Sequence, residues 1–419
     1  MFSTQLETQH RLSPSSAADN VIHWPNLSPQ IAAILRHALQ GEAISAAQAE
    51  QLFYAQGVDY QAVLTTADRL RQRHCGDKAS FIITRNINFT NVCYMACKFC
   101  NFSKSIKDAE AEFLSIQEVV DRAIEASQRG ATEVCIQGGL HPQMPADFYR
   151  NILLGIKAVL PHMHIHAFSP FEVWYGARKA KVTYREFLTD LKQCGLDTMP
   201  GTAAEILDVE IRKQLTHNKL STEEWVEIIK TAHQVGIKTT ATIMYGHIDS
   251  PKHWAEHLNL LREIQRQTGG FTEFVPLGFI HYKTKLYNEN PSQVRPGPTR
   301  EEHFKMHAIA RIMLQGEINN IQASWVKMGH DVASQMLRCG ANDLGGTLMN
   351  ESISRAAGGE HGQEVEPQDM VELIHQAGLH AYQRNTRYQV VRDYQPAESE
   401  VSASAVLPAL EIARFGASV

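Results

Sequence analysis

Residues 81–100, FIITRNINFTNVCYMACKFC, join a β-branched and apolar run to three cysteines spaced C-x3-C-x2-C. The run at 81–90 is typical of a β-strand, and Cys93, Cys97 and Cys100 follow it directly. In a barrel of alternating strands and helices, the loop after a strand lies on the catalytic face. The stretch therefore predicts a first barrel strand that carries three thiols to a functional site.

Further runs of the same kind follow along the chain, separated by amphipathic helical stretches. They are EVCIQGG, HMHIHAF, LDTMPGT, KTTATIMYG, TEFVPLGFI, IQASWVKMG and ANDLGGTL. Together with the first run they make eight strand–helix units, which predict an α/β fold with a (β/α)8 barrel of the TIM type, since such barrels occupy roughly 250 residues. A doubly wound open sheet is the alternative architecture.

The barrel is expected to carry extensions at both ends. Residues 1–78 predict an N-terminal helical extension, because their apolar positions recur three and four residues apart. Residues 79–350 form the predicted barrel. Residues 351–419 predict a C-terminal helical segment, built on QDMVELIHQAGLHAYQRN, and a poorly anchored tail.

Composition narrows the classes of partner. The 419-residue chain has 43% hydrophobic and 20% charged residues and a formal net charge of -5, which is ordinary for a soluble globular protein and gives no general attraction to nucleic acid or anionic lipid. Its first twenty residues are polar, and no apolar run reaches the roughly 18 residues of a membrane span. We expect a cytoplasmic protein with small-molecule partners, and neither nucleic acid nor membrane.

The cysteines indicate a soft metal. Seven cysteines, scattered apart from the one cluster, argue against a disulfide framework, and clustered thiols suit either zinc or an iron–sulfur cluster. Structural zinc requires four closed ligands, and no second cysteine or histidine pair accompanies these three. A cubane held by three thiolates keeps one iron free for a substrate or cofactor, so the cluster is the favoured interpretation.

With this spacing the chain resembles the radical S-adenosylmethionine (SAM) superfamily, in which C-x3-C-x2-C holds a 4Fe-4S cluster whose open iron chelates SAM. The resemblance implies that an electron from the cluster cleaves SAM to a 5′-deoxyadenosyl radical. It also implies that Phe99, before the third cysteine, packs near the adenine, and that Gly138 and Gly139 receive the methionyl amino group. A core phenylalanine and a plain glycine turn are the alternative interpretations.

Over residues 82–364 the chain resembles a narrower family, the 5-amino-6-(D-ribitylamino)uracil:L-tyrosine 4-hydroxyphenyl transferases, the tyrosine-cleaving component of FO synthase. The segments that carry the resemblance are INFTNVCYMACKFCNFS, IQGGLHP, HAFSPFEV, PGTAAEIL, TTATIMYGH, EFVPLGFIHYKTKLY and GANDLGGTLMNESISRAAGGEHG. The implied reaction cleaves L-tyrosine to 2-iminoacetate and a 4-hydroxybenzyl fragment, which adds to the uracil. Methionine and 5′-deoxyadenosine are released, and the adduct leads to the FO (7,8-didemethyl-8-hydroxy-5-deazariboflavin) chromophore.

The same resemblance implies the partners. They are the substrates L-tyrosine and 5-amino-6-(D-ribitylamino)uracil, an unidentified electron donor, and the ring-closing component of FO synthase. The alternative function is that of an aminofutalosine synthase-like radical SAM enzyme of menaquinone biosynthesis. A non-enzymatic iron–sulfur or zinc protein is a third alternative.

Further polar residues near predicted strand ends complete the expected site. Ser169, Glu172 and Glu205 are expected to contact SAM, although a loop-structuring role and a helix-start charge are their alternatives. For the histidines and tyrosines named below, the alternative is a polar residue of the barrel mouth that is satisfied within the protein. For Asn342 and Asp343 the alternative is an Asn-Asp turn. The expected catalytic residues are His247 and His281, and the expected substrate contacts are Tyr245, Tyr282, Asn342 and Asp343.

Two more features of the sequence are expected to be structural. His162, His164 and His166 share one face of a regular strand, and a barrel can direct such a face at its core layers, so a metal site is disfavoured. Arg212 is expected to be a solvated charge on its helix, with bidentate pairing to a carboxylate as the alternative.

Overall fold

The computed structural model describes residues 26–95, 97–216 and 219–394. The polar segment at residues 1–20 and the tail at residues 396–419 lie outside this part of the chain. No helix in the described ranges combines the length and the apolar character that a membrane crossing requires.

Helices and mostly parallel strands alternate along the described residues. The helices are α1 (Pro29–Leu39), α2 (Ala46–Phe53), α3 (Gly57–Cys75), α4 (Ile116–Gln128), α5 (Phe148–Val159), α6 (Pro170–Ala180), α7 (Tyr184–Gln193), α8 (Val209–Leu215), α9 (Thr222–Gln234), α10 (Pro251–Thr268), α11 (Lys285–Glu289), α12 (Arg300–Leu314), α13 (Trp325–Met328), α14 (His330–Met336), α15 (Ile353–Ala356) and α16 (Pro367–Gln376). The strands are β1 (Lys78–Ile82), β2 (Thr84–Asn88), β3 (Glu133–Gln137), β4 (His164–Ala167), β5 (Thr198–Met199), β6 (Lys238–Tyr245), β7 (Phe271–Gly278), β8 (Asp343–Gly346), β9 (His380–Arg384) and β10 (Val390–Tyr394).

Capping boxes explain where many of these helices begin. In each, a Ser or Thr accepts a backbone N–H three residues later, and a Glu or Gln at that later position reaches back. The cap residues are Ser45, Ser115, Ser169, Thr183, Ser221 and Thr299. The start of each of these helices is therefore determined by residues within its first turn, which also sets where the preceding loop ends.

The strands form a ring, which confirms the predicted barrel. Six parallel strands follow each other in the order β2-β3-β4-β5-β6-β7, and β8 pairs in parallel with β1, which leads straight into β2. Two isolated parallel bridges, Phe274 to Ile321 and Gln322 to Asp343, connect β7 to β8. The barrel therefore has eight parallel positions, with β1 and β2 together forming the first.

Two predicted elements differ from the structure. The run IQASWVKMG contributes only its first two residues to the ring and then turns into the short helix α13, so the seventh position is a pair of bridges. The stretch QDMVELIHQAGLHAYQRN is not one helix. Gly378 has a φ of +68°, which ends the helical path after α16, and the residues beyond it form β9.

The N-terminal extension consists of α1, α2 and α3, which pack on the outer helices α10 and α12. Helix α1 buries Ile31, Ile34, Leu35 and Ala38 at the spacing of an amphipathic helix. These helices cover the outside of the barrel and place no residue at its mouth.

The amino ends of the strands are closed by the C-terminal strand β9, which pairs in parallel with β1. Arg384 of β9 donates to both carboxylate oxygens of Asp343, at 2.5 and 3.0 Å. It also reaches Glu273 on β7, at 3.3 Å, and Ser80 donates to Asp343 at 2.5 Å. We call this buried set, Ser80, Glu273, Asp343 and Arg384, the floor network. The C-terminal segment is thus part of the barrel as well as helical.

Candidate functional site

The three clustered cysteines lie in a braced loop after β2. Cys93 donates its backbone N–H to Lys104 at 3.1 Å, and Cys100 donates to Cys97 at 3.1 Å. Ser103 closes the loop with a hydroxyl bond to the Cys93 carbonyl at 3.0 Å. All three cysteines are partly buried, and these hydrogen bonds, with the bridge between Val92 and Lys104, hold the loop in place.

The three side chains line one cavity, the thiol cavity, together with Tyr94 and Lys285. No three His, Cys, Asp or Glu side chains of the described residues converge closely enough to hold a single metal ion. A single zinc ion would need its sulfur ligands within about 2.3 Å of one point. The thiols therefore surround a shared space and do not meet at a point.

Burial sets the protonation of these sulfurs. It raises the pKa of the Cys97 thiol, and it raises the pKa of Cys100 to about 11. At neutral pH both thiols keep their protons unless a positive charge beside them favours the thiolate. Loading of a metal at such a site therefore releases protons.

Gly138 and Gly139, just after β3, allow the cysteine loop to approach. A Cβ on Gly139 would lie 2.3 Å from the Val92 carbonyl oxygen and 2.9 Å from the Cβ of Cys93, and one on Gly138 would lie 2.4 Å from the Phe89 ring. Gly139 donates its N–H to the Thr90 carbonyl at 2.9 Å. The two glycines are thus required by close packing against the loop, a role that the sequence analysis did not anticipate.

Ser169 and Glu172 form the capping box of α6. Glu172 accepts from the Ser169 N–H and hydroxyl, both at 2.7 Å, and from the Gly138 N–H at 3.0 Å. Burial raises the pKa of Glu172 to about 7. The pair thus ties the start of α6 to the glycine turn, which is the loop-structuring role given as its alternative.

Glu205 lies in the loop after β5 with a positive φ of +42°. One carboxylate oxygen pairs with Lys219, while Oε2 is buried and has no hydrogen-bond partner among the described residues. The Lys219 ammonium lies 5.0 Å from the centre of the Phe99 ring and 5.4 Å from that of Phe171. Lys219 was missed by sequence reasoning, because a lone lysine in a loop carries no spacing signal.

Arg212 holds this loop and is not a solvated charge. Its side chain is buried and donates to the carbonyls of Ala203 at 3.3 Å, Ile206 at 3.4 Å and Leu220 at 2.7 Å. The expectation was wrong because α8 turns this side chain inward, beneath the residues that carry Glu205.

A second cavity, the barrel cavity, opens at the carboxyl ends of β6 and β7. It shares Cys100 with the thiol cavity, and Glu205 and Lys327 are its charged lining residues. The lining residues are Phe99, Cys100, Asn101, Thr202, Ala203, Glu205, Thr242, Ile243, Met244, Leu277, Gly278, Phe279, Ile280, Lys327, Ile353 and Ala357. A small molecule in the barrel cavity would therefore lie beside the cysteine loop.

A third cavity, the polar cavity, meets the other two at Asn101. Its lining includes Asn88, Asn350, Ser352 and Arg355. Asn101 donates to the Ala356 carbonyl at 2.7 Å. Asn101, next to the third cysteine, thus lines all three cavities.

Tyr245 and His247 do not line these cavities. Tyr245 shares a hydrogen bond of 2.6 Å with His303 of α12, and both Tyr245 and His247 are fully buried. His247 accepts from the Ile248 N–H at 2.8 Å, and desolvation by burial lowers its pKa. These side chains point behind the strand, so their expected roles at the barrel mouth disagree with their positions.

His281 and Tyr282 lie at the mouth but outside the cavity linings. His281 packs against Tyr282 and Tyr287 with ring centres 4.1 and 4.5 Å away, and Tyr282 is 56% exposed. They form an aromatic cluster on the loop after β7.

Asn342 and Asp343 lie at the opposite end of the barrel from the cysteines, which corrects their expected substrate role. Asp343 belongs to the floor network, and Asn342 accepts from Arg311 and from the Ile321 N–H, both at 2.9 Å. Asp343 is the first residue of β8 and Asn342 precedes it, and the amino end of a barrel strand faces away from the catalytic loops.

Two of the three histidines of HMHIHAF have structural partners, whereas His162 precedes β4 and is exposed. His164 and His166 each share a hydrogen bond with Thr198, at 2.8 and 2.7 Å. Burial lowers the pKa of His166 to about 3, so its ring is neutral within the barrel.

Two family models match the chain. Residues 87–261 match the radical SAM superfamily, and residues 268–397 match the CofH/MqnC C-terminal region. The two matches meet in the middle of the barrel, so between them they include the cysteine loop, the barrel cavity and β9.

Curated relatives extend this likeness. FO synthase of Mycobacterium tuberculosis (strain H37Rv) is 52% identical over 334 residues, which cover 80% of this chain and 39% of that protein. The 5-amino-6-(D-ribitylamino)uracil–L-tyrosine 4-hydroxyphenyl transferase of Methanothermobacter thermautotrophicus is 45% identical over 368 residues, which cover 88% of this chain and 100% of that protein. The chain thus spans about two fifths of the FO synthase and the whole of the transferase.

Solved structures resemble the fold at low identity. Methylornithine synthase aligns with a TM-score of 0.65 and 15% identity, covering 83% of this chain and 96% of that one. The FeFe-hydrogenase maturase of Carboxydothermus hydrogenoformans aligns with a TM-score of 0.66 and 16% identity, covering 86% and 80%. At these identities the likeness concerns the fold alone.

Proposed function

The chain belongs to the family of 5-amino-6-(D-ribitylamino)uracil–L-tyrosine 4-hydroxyphenyl transferases within the radical SAM superfamily, and on this premise we propose its reaction. It cleaves L-tyrosine and couples the 4-hydroxybenzyl fragment to 5-amino-6-(D-ribitylamino)uracil, as a step toward the FO chromophore. The observation that carries the proposal is the contact between cavities: Cys100 lines both the thiol cavity and the barrel cavity.

The superfamily implies a 4Fe-4S cluster and SAM, and we assign Cys93, Cys97 and Cys100 as the cluster ligands. The donor set fits, since three thiols of one loop surround a shared space and soft sulfur ligands suit iron–sulfur clusters. The close packing of Gly139 on Val92 and Cys93 supports the assignment, because it fixes the loop that carries the ligands. When bound, the cluster and SAM supply the one-electron chemistry that produces the 5′-deoxyadenosyl radical.

The surrounding residues are suited to hold SAM. Glu205 Oε2, buried and without a partner among the described residues, can accept a hydrogen bond from a SAM hydroxyl. Phe99 offers an aromatic face at the edge of the barrel cavity. Gly138 and Gly139 use their N–H groups within the protein, so their carbonyl oxygens are the groups suited to the donor N–H bonds of an ammonium.

We assign the substrates to the barrel cavity and the polar cavity. The apolar wall of the barrel cavity, with Leu277 and Phe279, suits an aromatic ring and excludes water from a radical intermediate. The polar cavity, with Asn88, Asn350 and Ser352, offers the short hydrogen-bonding groups that a ribityl chain and a uracil need.

Of the residues expected to act in catalysis or on substrate, His281 and Tyr282 remain candidates for contact with an incoming substrate at the mouth. The proposal gives no catalytic role to His247 and no substrate contact to Tyr245, Asn342 or Asp343, because their side chains lie outside the three cavities. The electron donor is unidentified, and the ring-closing component of FO synthase is the proposed recipient of the adduct. Reduced thiols suit the cytoplasmic location expected from the sequence.

The test is turnover by the anaerobically reconstituted protein with SAM, a chemical reductant, L-tyrosine and 5-amino-6-(D-ribitylamino)uracil. Mass spectrometry should show the coupled adduct, with 5′-deoxyadenosine formed in step with it, only when both substrates are present. Consumption of SAM and tyrosine without any uracil adduct would contradict the proposed second substrate. Turnover of an aminofutalosine synthase substrate in its place would support the alternative function.

A further inference from the structure

Lys327 is a charged side chain in a largely apolar part of the barrel cavity. It lies on α13, just after the seventh barrel position, and the cavity that it lines is otherwise mostly apolar, with Leu277, Phe279 and Ile353 among the lining residues. Glu205 is the other charged lining residue, and it belongs to the cysteine side of the cavity with Phe99 and Cys100.

The ammonium of Lys327 has little in the protein to balance it. Its side-chain hydrogen bond goes to the Ser354 hydroxyl at 2.5 Å. Over residues 26–95, 97–216 and 219–394, no carboxylate lies within ion-pair distance of Lys327, whereas Glu205 is paired with Lys219. Glu351 is the acidic neighbour, but both of its oxygens accept from the Ser354 N–H, at 3.1 and 2.9 Å.

A buried charge with no counter-ion in contact is costly, and desolvation by burial lowers the pKa of Lys327 even though the charge of Glu351 acts in the opposite direction. The protein nevertheless fixes this side chain by placing a hydroxyl against it, in a cavity that is suited to a small molecule. An anionic group of the ligand would complete the site, because lysine donates readily to a carboxylate.

We propose that Lys327 binds the α-carboxylate of the amino-acid substrate, with Ser354 as the residue that positions its ammonium. This inference rests on the proposed function, in which that substrate is L-tyrosine. In this proposal the carboxylate pairs with Lys327, and the phenol ring lies against the apolar lining of the barrel cavity, which includes Leu277 and Phe279. Lys327 is thus a specificity residue for amino acids over amines.

The test compares L-tyrosine with tyramine, which has the same ring and amino group but no carboxylate. Binding is measured by calorimetry on the anaerobically reconstituted enzyme with SAM present and reductant absent, so that no turnover occurs. The unaltered enzyme should bind tyrosine roughly 10- to 100-fold more tightly than tyramine, the range of a charge-assisted hydrogen bond. Lys327→Met should lose most of that preference without weakening tyramine, and Lys327→Arg should keep part of it.

Controls separate the carboxylate contact from a general role in folding. Lys252→Met, on the exposed surface of α10, should change neither affinity. Equal weakening of tyrosine and tyramine in Lys327→Met would overturn the proposal and leave a structural lysine, and so would loss of SAM affinity alone. If Lys327→Met does not fold, an unaltered enzyme that binds tyramine as well as tyrosine would still overturn it. An enzyme that binds tyrosine with this preference but forms no uracil adduct would instead count against the proposed function.

Discussion

Both ends of the barrel bury charged side chains, but they treat them differently. At the amino ends of the strands, Arg384 reaches both Asp343 and Glu273, and Ser80 completes the floor network. At the carboxyl ends, Glu205 keeps one oxygen without a partner among the described residues, and Lys327 has a hydroxyl but no counter-ion there. A buried polar group that the fold satisfies holds the fold together, whereas one that it leaves open marks a place for a ligand.

The largest effect should come from the mouth. Cys97→Ala should abolish 5′-deoxyadenosine formation, because a cluster that lacks a thiolate no longer presents its open iron to SAM. The measurements are the visible absorbance after anaerobic reconstitution and 5′-deoxyadenosine by chromatography. Cys75→Ser, at the end of α3 and outside the cysteine loop, where the thiol bonds to the Asn319 carbonyl, is the matched control and should keep both signals. Appreciable SAM cleavage by Cys97→Ala would contradict the ligand assignment.

A substitution in the floor network should lower the free energy of unfolding and leave the reaction unchanged. Asp343→Ala removes the main partner of the buried Arg384 and should lower the free energy of unfolding by about 3–5 kcal/mol, the cost of leaving a buried charge uncompensated. Urea unfolding measures the loss. If the variant keeps its stability but loses substrate affinity, the floor would be a binding site after all and the contrast between the two ends would fail.

The pH dependence of stability tests His166, which is buried in the barrel between its two ends. Burial lowers the pKa of His166 from 6.5 to about 3. Between these two pH values the unfolded chain is protonated at this residue and the folded chain is not. This contribution to stability is complete above pH 6.5 and is lost as the pH falls toward 3. Between pH 7 and pH 5 the unaltered protein should therefore lose about 2 kcal/mol more stability than His166→Gln. Parallel stability curves for the two proteins would show that His166 has the same pKa in the folded and the unfolded chain, so that burial does not lower it.

The smallest effect sharpens the comparison at the mouth. Glu205→Gln should weaken SAM binding about tenfold, because the open carboxylate oxygen is replaced by a weaker or misdirected group. Glu205 and Lys219 form a largely buried pair, so the free energy of unfolding should also fall, but by less than in Asp343→Ala, since the amide keeps the volume and an oxygen that can accept from Lys219. Equilibrium binding of SAM to the reconstituted enzyme and thermal unfolding give the two numbers. A large loss of stability with unchanged SAM affinity would move Glu205 to the class of residues that hold the fold.

The features that the sequence predicted well are the periodic and the closely spaced ones. Eight apolar runs predicted eight barrel positions, because a parallel strand buried on both faces leaves a continuous apolar signature. The spacing of the three cysteines located the loop on which the candidate site is built. Such patterns are predictive because they depend on neighbouring residues alone and not on contacts between distant segments.

The errors concern which end or which face a residue occupies. Asp343 starts β8, and its place before the apolar residues of that strand was the available sign that it faces the floor. Tyr245 and His247 lie at the expected strand end, but the direction of each side chain depends on packing with distant segments, with His303 of α12 for Tyr245 and with Phe279 for His247, which no local pattern records. Lys219 and Lys327 had no signal at all, because their importance depends on the absence or presence of partners from distant segments.

The pairing of β9 with β1 has a consequence for biosynthesis. Lys78 and His380 are register partners, so the first strand leaves the ribosome about 300 residues before the strand that covers it, which at 5–20 residues per second is roughly 15 to 60 seconds. During that interval the edge of β1 has no neighbour on that side, and an unpaired strand edge is prone to association with other chains. Chains that end upstream of β9 would therefore contain the whole cysteine loop and still aggregate. Pairing of the last strands is thus a late step that the enzyme requires in order to become fully folded.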